Sequence, residues 1–243
     1  MSTSLIRSSV TPRSVFYAWL PLAAMWILMA VEQPAITAVI ARLPELKKQL
    51  AIFGVIFSFA LVIESPIIQM LSAGTALGTS RRNYEQLLRF MHILGGVLTL
   101  LHLLLLATPA FDYLIIRVVG MPADFLSDSR LAFLLMTPWT AAVGYRRLWQ
   151  GVLIRRKRTT IIPLTMVARL LSSAVVLILG LIFGFLPGAA LGGVSLSIGV
   201  IAGAIASYLF LRQEVAKMPA AEEKPVSYEE LFRFYYPLAL TSF

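Results

Sequence analysis

A chain of 243 residues that is 58% hydrophobic and 14% charged, with a mean hydropathy of +0.82, falls outside the soluble class, where about 25% of residues are charged. Its formal charge of +9 would suit a phosphate backbone, but the basic residues sit in short segments between apolar runs, so membrane topology is expected and nucleic acid is not. It contains no cysteine, which excludes a disulfide framework, a thiolate nucleophile and a cysteine metal site.

A helix rising 1.5 Å per residue needs roughly 20 residues to cross an apolar core of about 30 Å. Six stretches reach that length: Val15 to Ala41, Leu50 to Leu77, Leu87 to Ala107, Leu131 to Ile154, Ile161 to Leu186 and Ala189 to Leu211. In hydrocarbon a helix satisfies its own backbone amides, so the expected fold is an all-α, six-helix integral membrane bundle. The first run follows Arg7 and Arg13 as a signal peptide would. Five further spans make it a retained first helix.

Alternate connecting segments divide the basic residues unequally. Fifteen Lys and Arg, among them Arg81, Arg82, Arg146, Arg147 and the run Arg155 to Arg158, fall on one side; five, Arg42, Lys47, Lys48, Arg117 and Arg130, fall on the other. The positive-inside rule then puts both ends of the bundle in the cytoplasm of a cell-membrane protein. The Arg155 to Arg158 run reads as a topology signal beside anionic membrane lipid.

Residues 1–14 read as a cytoplasmic tail, 15–211 as the six-helix lobe and 212–230 as a cytoplasmic linker with two prolines. Residues 231–243 read as the start of a seventh helix. "FYYPLALTSF" at 234–243 resembles "VFYAWLPLAA" at 15–24; with the prolines aligned, Phe16 meets Phe232 and Trp19 meets Tyr235. An even number of spans lets a second copy begin parallel to the first, a known transporter plan. Aromatic residues before a proline also mark an ordinary helix entering at an interface, and that reading stays open.

Ionisable residues at hydrocarbon depth are costly, about 2.5 to 3.5 kcal/mol each on insertion scales, and mark a partner or a pathway. Glu64 lies near the middle of the second span, before Ser65 and Pro66. Glu32 lies about two-thirds along the first, beside Gln33 and Pro34. A carboxyl at such depth can exchange its charge for a proton, so Glu32, Gln33 and Glu64 are candidates for proton coupling or gating; a buried ion pair that only fixes packing is the alternative. Arg146 and Arg147 lie roughly 12 Å inside the fourth span, with Gln150 one turn on. Guanidinium forks bind phosphate oxygens in bidentate fashion, so Arg146, Arg147 and Gln150 form a candidate anion site. Arg169, in the fifth span, either joins that site or neutralises Glu64, and the arginines can also snorkel to headgroups.

His92 and His102, ten apart, are too far apart along one helix to share a metal, and packing is their simpler role. Gly74 and Gly78, Gly180 and Gly184, and Gly199 and Gly203 are small-residue pairs for close helix packing. There is no Walker A loop, dinucleotide fingerprint, zinc motif or Ser/His/Asp set, so no cofactor, metal or enzymatic activity is expected.

The segments "LPLAAMWILMAVEQPA" (20–35), "AIFGVIFSFALVIESPI" (51–67), "ALGTSRRNYEQL" (76–87), "RLAFLLMTPWTAAVGYRRLWQGVLIRRKR" (130–158) and "YYPLAL" (235–240) resemble, in this order, the progressive ankylosis protein family. That family looks like a branch of the multidrug/oligosaccharidyl-lipid/polysaccharide flippase superfamily. The more specific parts are the spacing from Pro21 to Glu32 and Gln33, and Gly-x-Leu-x-Arg from Gly151 to Arg155. The resemblance implies a twelve-helix, MATE-like, two-lobed transporter of which this chain supplies the first lobe, the second coming from the same gene or a partner chain. It also implies secondary export of pyrophosphate, nucleotide triphosphates or related organic anions. Other branches move lipid-linked saccharides or cationic drugs, and some drug exporters keep an acidic residue at a depth similar to that of Glu32. A lipid-linked saccharide flippase and a non-transporting six-helix half-module remain the alternatives.

Overall fold

In a computed structural model, which describes residues 12–219 and 226–242, the chain is a bundle of helices with no strand among the described residues. The helices are α1 (Pro12–Ile40), α2 (Leu46–Ile68), α3 (Met70–Leu77), α4 (Arg81–Ala107), α5 (Pro109–Tyr113), α6 (Leu126–Leu135), α7 (Thr137–Arg155), α8 (Ile162–Phe183), α9 (Gly188–Ala216) and α10 (Tyr228–Leu240). Five stretches, Trp19–Ile40, Leu46–Leu77, Arg81–Ala107, Thr159–Phe183 and Gly188–Ala216, are long and apolar enough to cross a membrane. Leu100, Leu104, Val175, Ile178 and Ile182 on α4 and α8 are exposed, as a lipid-facing surface requires.

The fourth expected span is not one helix. It breaks at Met136 into α6 and α7. Pro138 has no N–H to return to the Leu134 carbonyl, and the chain restarts as α7 with that proline in its first turn, where the missing donor costs least. The second span also bends. Pro66 leaves the Val62 carbonyl without its helical donor, the Ser65 hydroxyl takes it at 2.8 Å, and the helix re-forms as α3 after Gln69.

The centre of the bundle is α9, which packs on α8, α7, α6 and α2. Its apolar window is 50% buried against 22% for α1 and α4, because small residues along it, including Ala189, Ala190, Gly192, Ser195, Gly199 and Gly203, let neighbours approach. At one end, Gln49 donates to Asp128 Oδ2 at 2.8 Å and accepts from the Ala189 N–H at 3.0 Å, and Lys48 pairs with Asp128 at 3.0 Å, so the starts of α2, α6 and α9 are tied together. At the other end Arg155 Nη1 donates to the Thr75 and Ala76 carbonyls at 3.4 and 3.3 Å, and Glu214 pairs with Arg156, Arg158 and Lys217. The spans therefore alternate in direction. Arg146 and Arg147 are buried inside the bundle and do not flank a span, which leaves thirteen basic residues against five.

The stretch expected as a linker over 212–230 is partly helical: α9 runs to Ala216 and α10 starts at Tyr228. Ser227 and Glu230 cap α10 reciprocally, the Ser227 hydroxyl accepting from the Glu230 N–H at 3.2 Å and the Glu230 carboxylate from the Ser227 N–H at 2.9 Å, a capping box. Residues 1–11 of the expected tail and 220–225 of the expected linker lie outside the described residues. The α10 helix packs on α2, where Tyr235 donates its hydroxyl to the Pro66 carbonyl and meets the Phe90 ring edge-on at 5.0 Å. Trp19, its counterpart in the aligned text, is 57% exposed while Tyr235 is 4% exposed, so the two similar stretches occupy unlike surroundings.

Candidate functional site

Five charged side chains lie buried in the middle of the bundle: Glu32 from α1, Glu64 from α2, Arg146 and Arg147 from α7, and Arg169 from α8. Removing each from water is costly, so where each finds a partner decides what the site can do. Glu32 and Arg169 form a two-pronged pair: Arg169 Nε donates to Glu32 Oε1 at 2.9 Å and Arg169 Nη2 donates to Glu32 Oε2. Ser173, one turn beyond Arg169, lies 3.3 Å from Glu32 Oε1 and 2.9 Å from the Ser195 carbonyl. The α9 helix makes room for this set. A Cβ on Gly199 would lie 2.1 Å from Ser173 Oγ, and one on Gly203 would lie 3.3 Å from Arg169 Cβ and 3.4 Å from Arg146 Cδ.

Arg169 is thus bound to Glu32 and not to Glu64. Gln33 is half-buried and stands outside the pair; its backbone carbonyl accepts from the Thr37 hydroxyl at 3.0 Å. Glu64 lies in the field of Arg147, then Arg146, then Arg169, yet no ion pair closes on it among the described residues, and its Oε2 has no hydrogen-bond partner there. Arg146 is 1% exposed. Its Nη1 reaches only the Met166 sulfur, at 3.7 Å, and its Nε is unpartnered. Arg147 is 6% exposed, with its Nε likewise unpartnered. Gln150, fully buried, donates to Thr165 Oγ1 at 3.1 Å and leaves its Oε1 free.

The charges do not balance. Three guanidiniums face two carboxylates, and one carboxylate is paired with Arg169, so only Glu64, with no ion pair formed among the described residues, is left to offset Arg146 and Arg147. Arg147 and Gln150 line a cavity of about 90 Å³ with Leu22, Met25 and Trp26 of α1, room for a few waters or a small anionic group. Close backbone packing puts them there: a Cβ on Gly151 would lie 2.3 Å from the Leu71 carbonyl and one on Gly74 would lie 2.7 Å from the Leu148 carbonyl, so only glycines let α3 and α7 touch.

Ser173 escaped sequence reasoning, although its place one turn after Arg169 in an apolar span was a readable signal. So did Gln49 and Asp128, which a sequence shows only as polar residues near span ends. The histidines do not meet: His102 stacks on Phe133 with ring centres 3.7 Å apart and bonds the Phe133 carbonyl at 2.9 Å, while His92 meets Tyr145 edge-on. Among the described residues no group of three metal-ligating side chains converges.

A solved structure now bears on this geometry: an outward-facing multidrug resistance MATE family transporter of the MOP superfamily, 19% identical, with a TM-score of 0.69 over 92% of this chain. The chain has the fold of a MATE half. It covers 51% of that structure's chain, about half its length. Helical lobe, apolar spans and structural likeness together make this a multi-pass membrane protein of MATE-like fold. No protein-family model and no curated protein matches the chain, so the finer likeness to progressive ankylosis proteins stands on its motifs alone.

Proposed function

We propose that this chain is the first lobe of a secondary transporter that exports an organic or phosphorylated anion, pyrophosphate-like, by alternating access against a second six-helix lobe. The observation that carries the reading is the buried excess of positive charge. Arg147 lines a cavity, keeps its charge at any relevant pH and has no ion-pair partner among the described residues; a phosphate or carboxylate would complete it. In this reading Arg146, Arg147 and Gln150 bind the anion, and Arg169 acts on it indirectly by holding Glu32. Glu64, facing the same arginines, competes with the anion for them and so couples binding to its own protonation. Glu32, released from Arg169, would carry the second proton-linked step, with Gln33 beside it. The half-length match to a MATE fold supports the lobe and the progressive ankylosis-like motif order supports the anion, and the basic Arg155 end would face the cytoplasm.

Flux into proteoliposomes carrying both lobes tests it. Labelled pyrophosphate is expected to move, at a rate cut at least tenfold by Arg147→Gln at equal reconstitution. Full flux in Arg147→Gln, or movement of a lipid-linked saccharide with none of pyrophosphate, would overturn the reading.

A further inference from the structure

The cavity of Arg147 and Gln150 is not isolated. Beside it, on the Arg155 side of the bundle, lies a larger and wide-open groove of about 720 Å³ between α3, the end of α7 and α10, lined by Leu71, Ser72, Thr75, Ile154, Arg233 and Phe234 among others. The two spaces share two wall residues, Leu71 of α3 and Ile154 of α7. Both are apolar, and they belong to α3 and α7, which the Gly74 and Gly151 contacts hold close together. The larger space is rimmed by charge: Arg233 lines it, and Arg155 reaches the carbonyls of Thr75 and Ala76, which also line it. Guanidiniums therefore stand at the rim, and Arg147 stands behind the Leu71–Ile154 partition.

We propose that the larger space is the vestibule through which an anion reaches Arg147, and that Leu71 and Ile154 are its gate. The vestibule admits a small phosphate- or sulfonate-bearing molecule, drawn by Arg155 and Arg233, and two branched side chains keep the inner cavity closed until they change rotamer. Such a partition limits how fast an anion in the groove reaches Arg147. One wall of the vestibule is α10, through Phe234, Pro237 and Leu238, fastened to the bundle by Tyr235 on the Pro66 carbonyl and by Gln69 on Ser242. A shift of α10 would widen the vestibule without disturbing the charged cluster. The ligand class rests on the anion-transport reading; the gate does not.

These 243 residues contain no cysteine, which makes a direct test simple, because a cysteine introduced among them is their sole thiol. Thr75→Cys samples the vestibule and Gln150→Cys the inner cavity. In membranes, the anionic sulfonatoethyl methanethiosulfonate is expected to modify Thr75→Cys rapidly and Gln150→Cys at least tenfold more slowly. Adding Leu71→Ala and Ile154→Ala should raise the Gln150→Cys rate about tenfold and leave Thr75→Cys unchanged, whereas Leu22→Ala, on the α1 side of the same cavity, should not. Should the double alanine variant fold poorly, Ile154→Phe gives the converse reading: slower modification of Gln150→Cys alone. A Gln150→Cys rate indifferent to Leu71 and Ile154, or raised by Leu22→Ala instead, overturns the gate. A trimethylammonium reagent reacting as fast as the sulfonate at Gln150→Cys, with gate dependence intact, overturns the anion reading and leaves the gate standing.

Discussion

Replacing Glu32 by glutamine leaves the Arg169 guanidinium in a cleft that is 94 to 95% closed to solvent on both sides of the pair, with a neutral amide in place of a carboxylate. Two charge-assisted hydrogen bonds are weakened, each worth about 1.5 to 3 kcal/mol, and stranding one member of a buried pair costs about 3 to 5 kcal/mol. Arginine cannot shed its charge, so the cost is not relieved by deprotonation. For a chain of this size about 1 kcal/mol moves a melting midpoint by roughly 2 to 4 °C, so a cost of about 3 to 5 kcal/mol means that Glu32→Gln should lower it by about 6 to 20 °C in detergent, read by fluorescence-detected size exclusion over a temperature series. Arg169→Met should cost less, because the stranded carboxyl can take up a proton. The double variant Glu32→Gln/Arg169→Met should recover most of the loss, since it leaves no charge stranded in the cleft. A fall under 2 °C for Glu32→Gln, or a double variant no better than the worse single one, would show that the pair does not carry the energy assigned to it.

The helix contacts give three further expectations. Gly151→Ala should cost at least 1 to 3 kcal/mol by overpacking, roughly, since the added carbon would meet the Leu71 carbonyl at 2.3 Å, while Gly54→Ala, with nothing within 4 Å, should be neutral or stabilising by about 0.5 to 1 kcal/mol; melting of the two variants side by side decides. Gln49→Ala should lose about 2 kcal/mol by removing the tie between α2, α6 and α9, and hydrogen exchange should quicken first at the start of α9. Tyr235→Phe should free α10 from the Pro66 carbonyl and speed proteolysis between α9 and α10, with the melting of the rest unchanged within about 1 kcal/mol.

The sequence made five of the spans and their alternation legible because hydrocarbon forces each segment to satisfy its own backbone and to be long enough to cross. The α6–α7 break was hidden in an unbroken apolar run, and only Pro138 signalled it. The start of α10 was written in Ser227 and Glu230, but the surrounding prolines and glutamates read as linker. The buried charges were each visible as anomalies in apolar text. Their pairing was not: Glu32 and Glu64 were equally available to Arg169, 137 residues beyond Glu32 in sequence, and only the packing of α1 and α8 against α9 chooses between them. Close contact between Gly74 and Gly151 was likewise only half legible, since small-residue spacing marks one helix and says nothing of the partner.

Binding of inorganic pyrophosphate to the purified protein measures the unpaired guanidinium most directly. At about 100 times its dissociation constant a ligand of the folded state adds about 2.7 kcal/mol, so pyrophosphate should raise the melting midpoint by about 5 to 11 °C in the unaltered chain and by little in Arg147→Gln, while a quaternary ammonium cation does nothing. An equal rise in Arg147→Gln, or stabilisation by the cation in place of pyrophosphate, would contradict an anion site built on Arg147.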